Sequence, residues 1–313
     1  MKIYAQLNLQ VPEKQLLMTN TQGHEVIFRD ELPNIEEQQT QLLTAHIVFG
    51  NAPVELLNQS STLRWIQLYS AGIDPYQELT FEANPNLIVT NLRGFFGRPV
   101  AETALAGIMA MYRGIDTLAR LQTQQHWVGS ALRPQLRTLR GAKVVVLGAG
   151  SIGLTFKKLL QGFDCEVLVM SRSAGDIHSL DALDAVLPTT DILLNTLPET
   201  PETIGILDKK RLSLLSANSL FANVGRGSAV EESALIELLT ENRIYGAVLD
   251  VTEEEPLPPN HPLWSLPNVL LTQHTAGGFG DENRNKVLFF IENLRRFEQG
   301  EPLDSIVDFA RGY

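Results

Sequence analysis

Lys143-Val144-Val145-Val146-Leu147-Gly148-Ala149-Gly150-Ser151-Ile152-Gly153-Leu154 decides how the rest of the chain is read. Five residues of a β-branched, apolar run form a strand fit to be buried on both faces. A GxGxxG pattern follows at once, and Leu154 to Gln161 then carries apolar residues at helical spacing. Strand, glycine turn and helix in that order form the dinucleotide-binding signature. Gly148 allows the tight turn, Gly150 lets backbone approach a pyrophosphate, and Gly153 lets the helix pack on the strand. The amides of Ser151 and Ile152 then open a helix whose positive end suits phosphate. A GxGxxG alone would fit any glycine-rich loop; its flanking elements give it meaning.

Outward from that turn, residues 141–280 alternate strands and helices. Strands are expected at Glu166–Met170, Asp191–Asn195, Leu220–Val224, Gly246–Val251 and Val269–Thr272. Ligands bind beyond the carboxyl ends of strands in such a sheet, which puts Ser171, Thr196, Gly225, Thr252 and Gln273 on one rim. The first 97 residues read as another α/β unit, with strands at Lys2–Leu7, Glu25–Phe28, His46–Phe49, Trp65–Tyr69 and Leu87–Thr90. A single long helix is expected from Val100 to about Gln122, with Pro99 near its start. A last helix runs from Asp281 to Gln299 and stops at Gly300. The fold class is therefore α/β, with parallel sheets in two domains.

Composition narrows the function. The chain has 313 residues, enough for two cores, with 44% apolar and 19% charged residues. Its net charge of -11 argues against nucleic acid as a partner. No apolar stretch approaches a membrane span and no signal-like segment follows Met1, so a cytoplasmic protein is expected. The single Cys165 excludes an internal disulfide or a cysteine-based zinc site and reads as a buried structural thiol; no metal is expected.

Three rim residues carry chemistry. Arg226, in Asn223-Val224-Gly225-Arg226-Gly227, follows a buried strand and can hold a carboxylate in a bidentate fork. Glu255 ends the acidic run Glu253-Glu254-Glu255, and His274 follows the last strand. Each taken alone has an ordinary structural explanation: a surface arginine, a solvated acidic face, a satisfied histidine. Together they place a carboxylate clamp, a carboxylate and an imidazole able to carry a proton near neutral pH beside a nucleotide site. That set describes reduction of a 2-keto acid.

These segments, with Leu63 to Asp74, Val100-Ala101-Glu102 and Leu197-Pro198-Glu199-Thr200-Pro201-Glu202-Thr203, resemble the D-isomer-specific 2-hydroxyacid dehydrogenase family over nearly the whole chain. The resemblance implies two Rossmann-like domains with the active site in the cleft between them. The substrate domain would be residues 1–97 plus 286–313, and the dinucleotide domain 98–285. It further implies that His274 is the acid/base, that Glu255 pairs with its imidazole and that Arg226 orients substrate. Backbone amides of Ala71 and Gly72 would help bind the substrate carboxylate, and Asp250 would contact the nicotinamide amide. Leu197, Pro198, Thr203, Val224, Gly225, His274 and Gly277 would complete the cofactor wall. Within the family the chain looks most like the glyoxylate/hydroxypyruvate reductases, partly through Leu257-Pro258-Pro259 and the terminal Ala310-Arg311-Gly312-Tyr313, and a homodimer is implied. One departure is Gln273, where the family commonly has Pro before the His. The other readings are a corepressor-like, NAD(H)-sensing binding protein and a dehydrogenase of another substrate such as D-3-phosphoglycerate.

The end of the strand Glu166–Met170 bears on the cofactor. An NAD-selective site places Asp or Glu about 20 residues after the glycines, on the ribose hydroxyls. Here Ser171 and Arg172 come first, with no carboxylate until Asp176. A hydroxyl and a guanidinium suit a 2'-phosphate, so NADPH is expected over NADH.

Overall fold

The computed structural model describes residues 1–310, so Arg311, Gly312 and Tyr313, part of the terminal resemblance noted above, lie outside the described residues. Contacts divide the chain into two units: Met1–Phe95 together with the chain from Phe279 onward, and Phe96–Gly278. The expected changes of domain, after residue 97 and after residue 285, compare with observed changes after residues 95 and 278.

In the first unit the strands are β1 (Lys2–Ala5), β2 (Glu25–Phe28), β3 (Ile47–Phe49), β4 (Trp65–Gln67) and β5 (Ile88–Thr90). They form a parallel sheet in the order β2-β1-β3-β4-β5. The helices α1 (Val11–Asn20), α2 (Ile35–Leu43) and α3 (Val54–Gln59) connect them. Alternate strand residues serve two cores: Tyr4, Val48 and Ile66 pack on one face, Ile3, Ala5, Ile47 and Trp65 on the other. Both faces are thus covered, as a parallel sheet requires.

The second unit opens with α4 (Gly97–Tyr112) and α5 (Ile115–Thr123). One continuous helix was expected over this stretch. It breaks because Gly114 adopts a left-handed conformation at φ 63°, which ends α4 and caps the start of α5. The sheet strands follow: β6 (Lys143–Leu147), β7 (Glu166–Met170), β8 (Ile192–Asn195), β9 (Leu220–Asn223), β10 (Gly246–Leu249) and β11 (Val269–Leu271). Helices α6 (Ser151–Leu159), α7 (Leu180–Val186), α8 (Lys209–Leu212) and α9 (Glu232–Thr240) lie between them. All pairings are parallel, in the order β11-β10-β9-β8-β6-β7. The order turns back at β6, which places the crevice for a ligand beside the end of that strand.

The C-terminal helix α10 (Glu282–Gln299) belongs to the first unit for a visible reason. Phe290 stacks on Phe49 at 4.3 Å and on Trp65 at 5.1 Å between ring centroids, and Phe297 stacks on Trp65 at 5.5 Å. The segment beyond α10 then bonds to β5, Val307 N–H donating to the Val89 carbonyl at 2.9 Å. Cys165 is half-buried, its thiol donating to the Leu139 carbonyl at 3.2 Å, and burial pushes its pKa up. Among the described residues no helix is long and apolar enough to cross a membrane, and no cluster of three or more His, Cys, Asp or Glu could hold a metal ion.

Candidate active site

The turn after β6 has the backbone its glycines permit. Gly148 sits at φ 107°, and a side chain there would meet Thr196 Oγ1 at 2.7 Å. A Cβ on Gly153 would lie 2.1 Å from the Gly148 carbonyl oxygen, so the helix could not close on the turn. A Cβ on Gly150, the residue that caps α6, would meet nothing within 4 Å. Space is therefore open where the sequence expects a pyrophosphate to approach. The first-turn amides of Ser151, Ile152 and Gly153 have no carbonyl within the helix to bond. This cradle fits a dinucleotide, and its walls come from the neighbouring strand ends. Thr196 donates to the Leu147 carbonyl at 2.8 Å, and a Cβ on Gly225 would stand 2.6 Å from the Leu197 carbonyl oxygen. Val224 is buried, Leu197 and Pro198 are partly exposed. Thr203 instead closes its own loop: its hydroxyl accepts from Thr200 N–H at 2.8 Å and donates to the Pro198 carbonyl at 2.7 Å. Gly277 has a packing reason too, since a Cβ there would meet Phe96 at 3.0 Å.

At the end of β7, Ser171 is half-buried and Arg172 exposed. The Ser171 hydroxyl oxygen accepts from the amides of Ser173 and Ala174 at 3.4 and 3.3 Å. The first carboxylate downstream, Asp176, is engaged by its own unit. It accepts from Val169 N–H at 2.9 Å and from Lys157 of α6 at 3.2 Å, and these hold its pKa below the ordinary carboxylate value. Arg172 contributes to lowering the pKa of Glu202 as well, after the Thr200 hydroxyl bond that dominates that shift.

The chemical residues stand on the loops after β9, β10 and β11. Arg226 has extended backbone and its guanidinium donates to the Gly225 carbonyl at 2.8 Å. Gly227 beside it admits no side chain, because a Cβ would fall 1.9 Å from the Thr252 carbonyl oxygen. The Arg226 loop is thus packed directly on the Thr252–Glu255 loop. His274 Nδ1 donates to Glu255 Oε2 at 2.6 Å, and the other carboxylate oxygen accepts from Thr252 N–H at 3.0 Å. This fixes the ring and leaves Nε2 as the nitrogen that can exchange a proton with a ligand. His274 lies at φ 55° and Gln273 at φ 54°, two consecutive left-handed residues. Buried Asp250 supports that turn: its Oδ1 accepts from Thr272 Oγ1, Thr275 N–H and Ala276 N–H at 2.6, 3.1 and 3.2 Å. Behind the pair is a cavity of about 440 Å³, walled by Leu257, Trp264, Leu271 and Gln273 besides Glu255 and His274.

Asn195 and Asn223, to which the sequence analysis assigns no role of their own, lock the rim from below. Asn195 Nδ2 donates to Asn223 Oδ1 at 2.9 Å, and Asn223 Nδ2 to the Arg226 carbonyl at 3.0 Å. Both are buried, so the amides have to find partners, and they do so across two strand ends. Ala71 and Gly72 belong to the other unit, on the turn after β4. There Asn91 donates to the Ala71 carbonyl at 2.7 Å and the Ser70 hydroxyl to the Gly72 carbonyl at 2.8 Å, which ties down the carbonyl side of the turn.

Residues 105–276, more than half of the chain, match the family model described as D-isomer specific 2-hydroxyacid dehydrogenase, NAD binding domain. The chain belongs to the D-isomer-specific 2-hydroxyacid dehydrogenase family and is an NAD(P)-dependent oxidoreductase. It is 30% identical over 273 residues to the glyoxylate/hydroxypyruvate reductase A of Escherichia fergusonii, covering 83% of this chain and 85% of that one. A D-isomer specific 2-hydroxyacid dehydrogenase family protein from Aeromonas salmonicida has a similar structure, with a TM-score of 0.85, 27% identity and coverage of 98% and 99%. So does an NADPH-dependent glyoxylate/hydroxypyruvate reductase from Sinorhizobium meliloti in complex with NADP and sulfate, at 0.83, 25%, 100% and 99%.

Proposed function

We propose that this protein reduces a small 2-keto acid of the glyoxylate/hydroxypyruvate type to the 2-hydroxy acid with NADPH, His274 being the proton donor. The observation that carries this reading is the 2.6 Å bond between His274 Nδ1 and Glu255 on the strand-end rim of the dinucleotide-binding unit. A bound nicotinamide cofactor supplies the hydride. The residues do the rest. Arg226 takes the substrate carboxylate through charge-assisted bonds and polarises the carbonyl, assisted by the Ala71 and Gly72 amides. His274 Nε2 gives its proton to the oxygen that becomes the hydroxyl, and Glu255 holds the ring in place through Nδ1.

The cofactor would be held by Gly148, Gly150, Ser151, Ile152 and Gly153 at the pyrophosphate and by Ser171 and Arg172 at the 2'-phosphate. Asp250 would meet the carboxamide through Oδ2, because Oδ1 is committed to the 272–276 turn. Leu197, Pro198, Val224 and Gly225 would form the wall, with Thr203 and Gly277 shaping it. The exposure of Ile115, Leu118 and Trp127, at 56, 43 and 92%, supports the homodimer as part of the same proposal.

The test is His274→Ala, assayed by loss of NADPH absorbance with glyoxylate and hydroxypyruvate. Turnover is expected to fall by roughly 10² to 10⁴, the usual worth of general acid catalysis, with NADPH still bound by fluorescence titration. A variant as active as the wild type would refute the assignment.

A further inference from the structure

Glu232, the first residue of α9, is a buried carboxylate that the proposed reaction does not use. An acid opening a helix is ordinary when it faces water, where the helix dipole favours it. Burial is not ordinary, and it requires partners. Glu232 has two. Its Oε1 lies 3.2 Å from His261 Nε2, and its Oε2 accepts from the Glu253 amide at 3.0 Å. His261 Nδ1 accepts from Leu263 N–H at 3.4 Å, which makes Nε2 the protonated nitrogen of the neutral ring and therefore a donor to Glu232. The carboxylate is thus gripped from one side, and on the other it grips a single backbone amide.

That amide belongs to the loop that presents Glu255. Thr252 donates from its amide to Glu255 Oε1 at 3.0 Å and from its hydroxyl to the Glu254 carbonyl at 2.8 Å, so residues 252–255 are tied into one piece. The piece is wedged between Glu232 and Gly227, where no Cβ fits against the Thr252 carbonyl. A chain of contacts therefore runs from His261 through Glu232, the Glu253 amide and Glu255 to His274. We infer that Glu232, held by His261, is a positioning residue: it fixes the loop that keeps Glu255 on the imidazole of His274. The inference rests on the reading of His274 as proton donor.

The test uses the full-length enzyme with NADPH and glyoxylate, comparing Glu232→Ala, Glu232→Gln and Glu255→Gln for kcat, KM and the pH profile of kcat/KM. In E232A kcat is expected to fall roughly 10- to 100-fold, the scale of a misplacement near 1 Å, with KM for NADPH little changed. Its alkaline limb moves toward that of E255Q, because in both variants the imidazole of His274 has lost its fixed carboxylate. E232Q, whose amide oxygen can still accept from Glu253 N–H, keeps the wild-type limb. An E232A limb that stays in place overturns the inference whatever happens to kcat, since a merely structural loss lowers activity without moving it. An E232Q limb displaced as far as that of E232A overturns it too. If E232A does not fold, Glu232→Asp takes its place: the shorter carboxylate withdraws from one donor, and an unmoved limb counts against the inference. A wild-type enzyme inactive on every 2-keto acid would instead bring down the functional reading on which this depends.

Discussion

Substituting proline for Gln273, which would give this chain the residue the family commonly has before the histidine, should damage it. Gln273 sits at φ 54°, and a proline ring holds φ near -65°, about 120° away. Left-handed backbone costs a non-glycine residue roughly 1–2 kcal/mol, so something must hold Gln273 and His274 there. The hold is Asp250: its carbonyl accepts from His274 N–H at 2.6 Å, and its carboxylate accepts from the amides of Thr275 and Ala276. Proline would swing the chain out of this arrangement and release those three backbone bonds. At about 0.5–1.5 kcal/mol net for each, the loss is on the order of 2–4 kcal/mol. His274 would also leave its 2.6 Å contact with Glu255, and a displacement near 1 Å costs roughly 100-fold in rate. Thermal unfolding and steady-state kinetics should therefore both register Gln273→Pro, with kcat/KM down by about 100-fold or more. Gln273→Gly is the control, since glycine takes positive φ without steric cost and should keep both the turn and the activity. Wild-type kinetics and stability in the proline variant would refute the reasoning, and so would equal damage in the glycine variant.

Removing the guanidinium beside the proposed 2'-phosphate subsite, Arg172→Ala, should raise KM for NADPH by about tenfold or more, the worth of a charge-assisted bond, and leave KM for NADH nearly unchanged. Equal effects on the two cofactors, in parallel initial-rate measurements, would remove Arg172 from the subsite. Asp176 gives a pH dependence of known sign. Its folded-state pKa is depressed, so the stability it contributes is complete above the unfolded value and disappears as pH falls through the folded one. Asp176→Asn should accordingly be slightly less stable than wild type in urea at pH 7, by a few tenths of a kcal/mol for so exposed a group, and the difference should shrink as the pH is lowered below the ordinary carboxylate range. A gap that widens on acidification would contradict that sign.

The parts of this molecule that could be read from the sequence are those in which one residue type answers a local demand. Gly148 and Gly153 are where a turn and a helix–strand approach leave no room for a side chain, and the apolar run at Lys143–Leu147 is what a strand covered on both faces requires. Arg226 and His274 stood out because they follow such runs, at the strand ends where ligands bind. The break at Gly114 was missed because a glycine within a helical pattern costs only about 1 kcal/mol, so the apolar spacing on either side read straight through it. That α10 returns to the first unit depends on Phe290 finding Phe49 and Trp65, partners more than 200 residues away that no local pattern specifies.

The same distinction explains why the supports of the His274–Glu255 pair were less visible than the pair. His261 has no local context because its context is Glu232, 29 positions earlier, and Glu253 reads as part of a solvated acidic face although its backbone amide, not its side chain, makes the contact. Asn195 and Asn223 likewise look like ordinary turn formers until strand pairing sets them side by side. For the two asparagines the sequence shows the ends of strands, and the sheet order decides that those ends meet. Because β9, β10 and β11 are neighbours in that order, the loops carrying Arg226, Glu255 and His274 can be tied to one another by backbone bonds. A side chain that supports such a site is therefore better sought among the partners of the loop backbone than among residues whose own position looks catalytic.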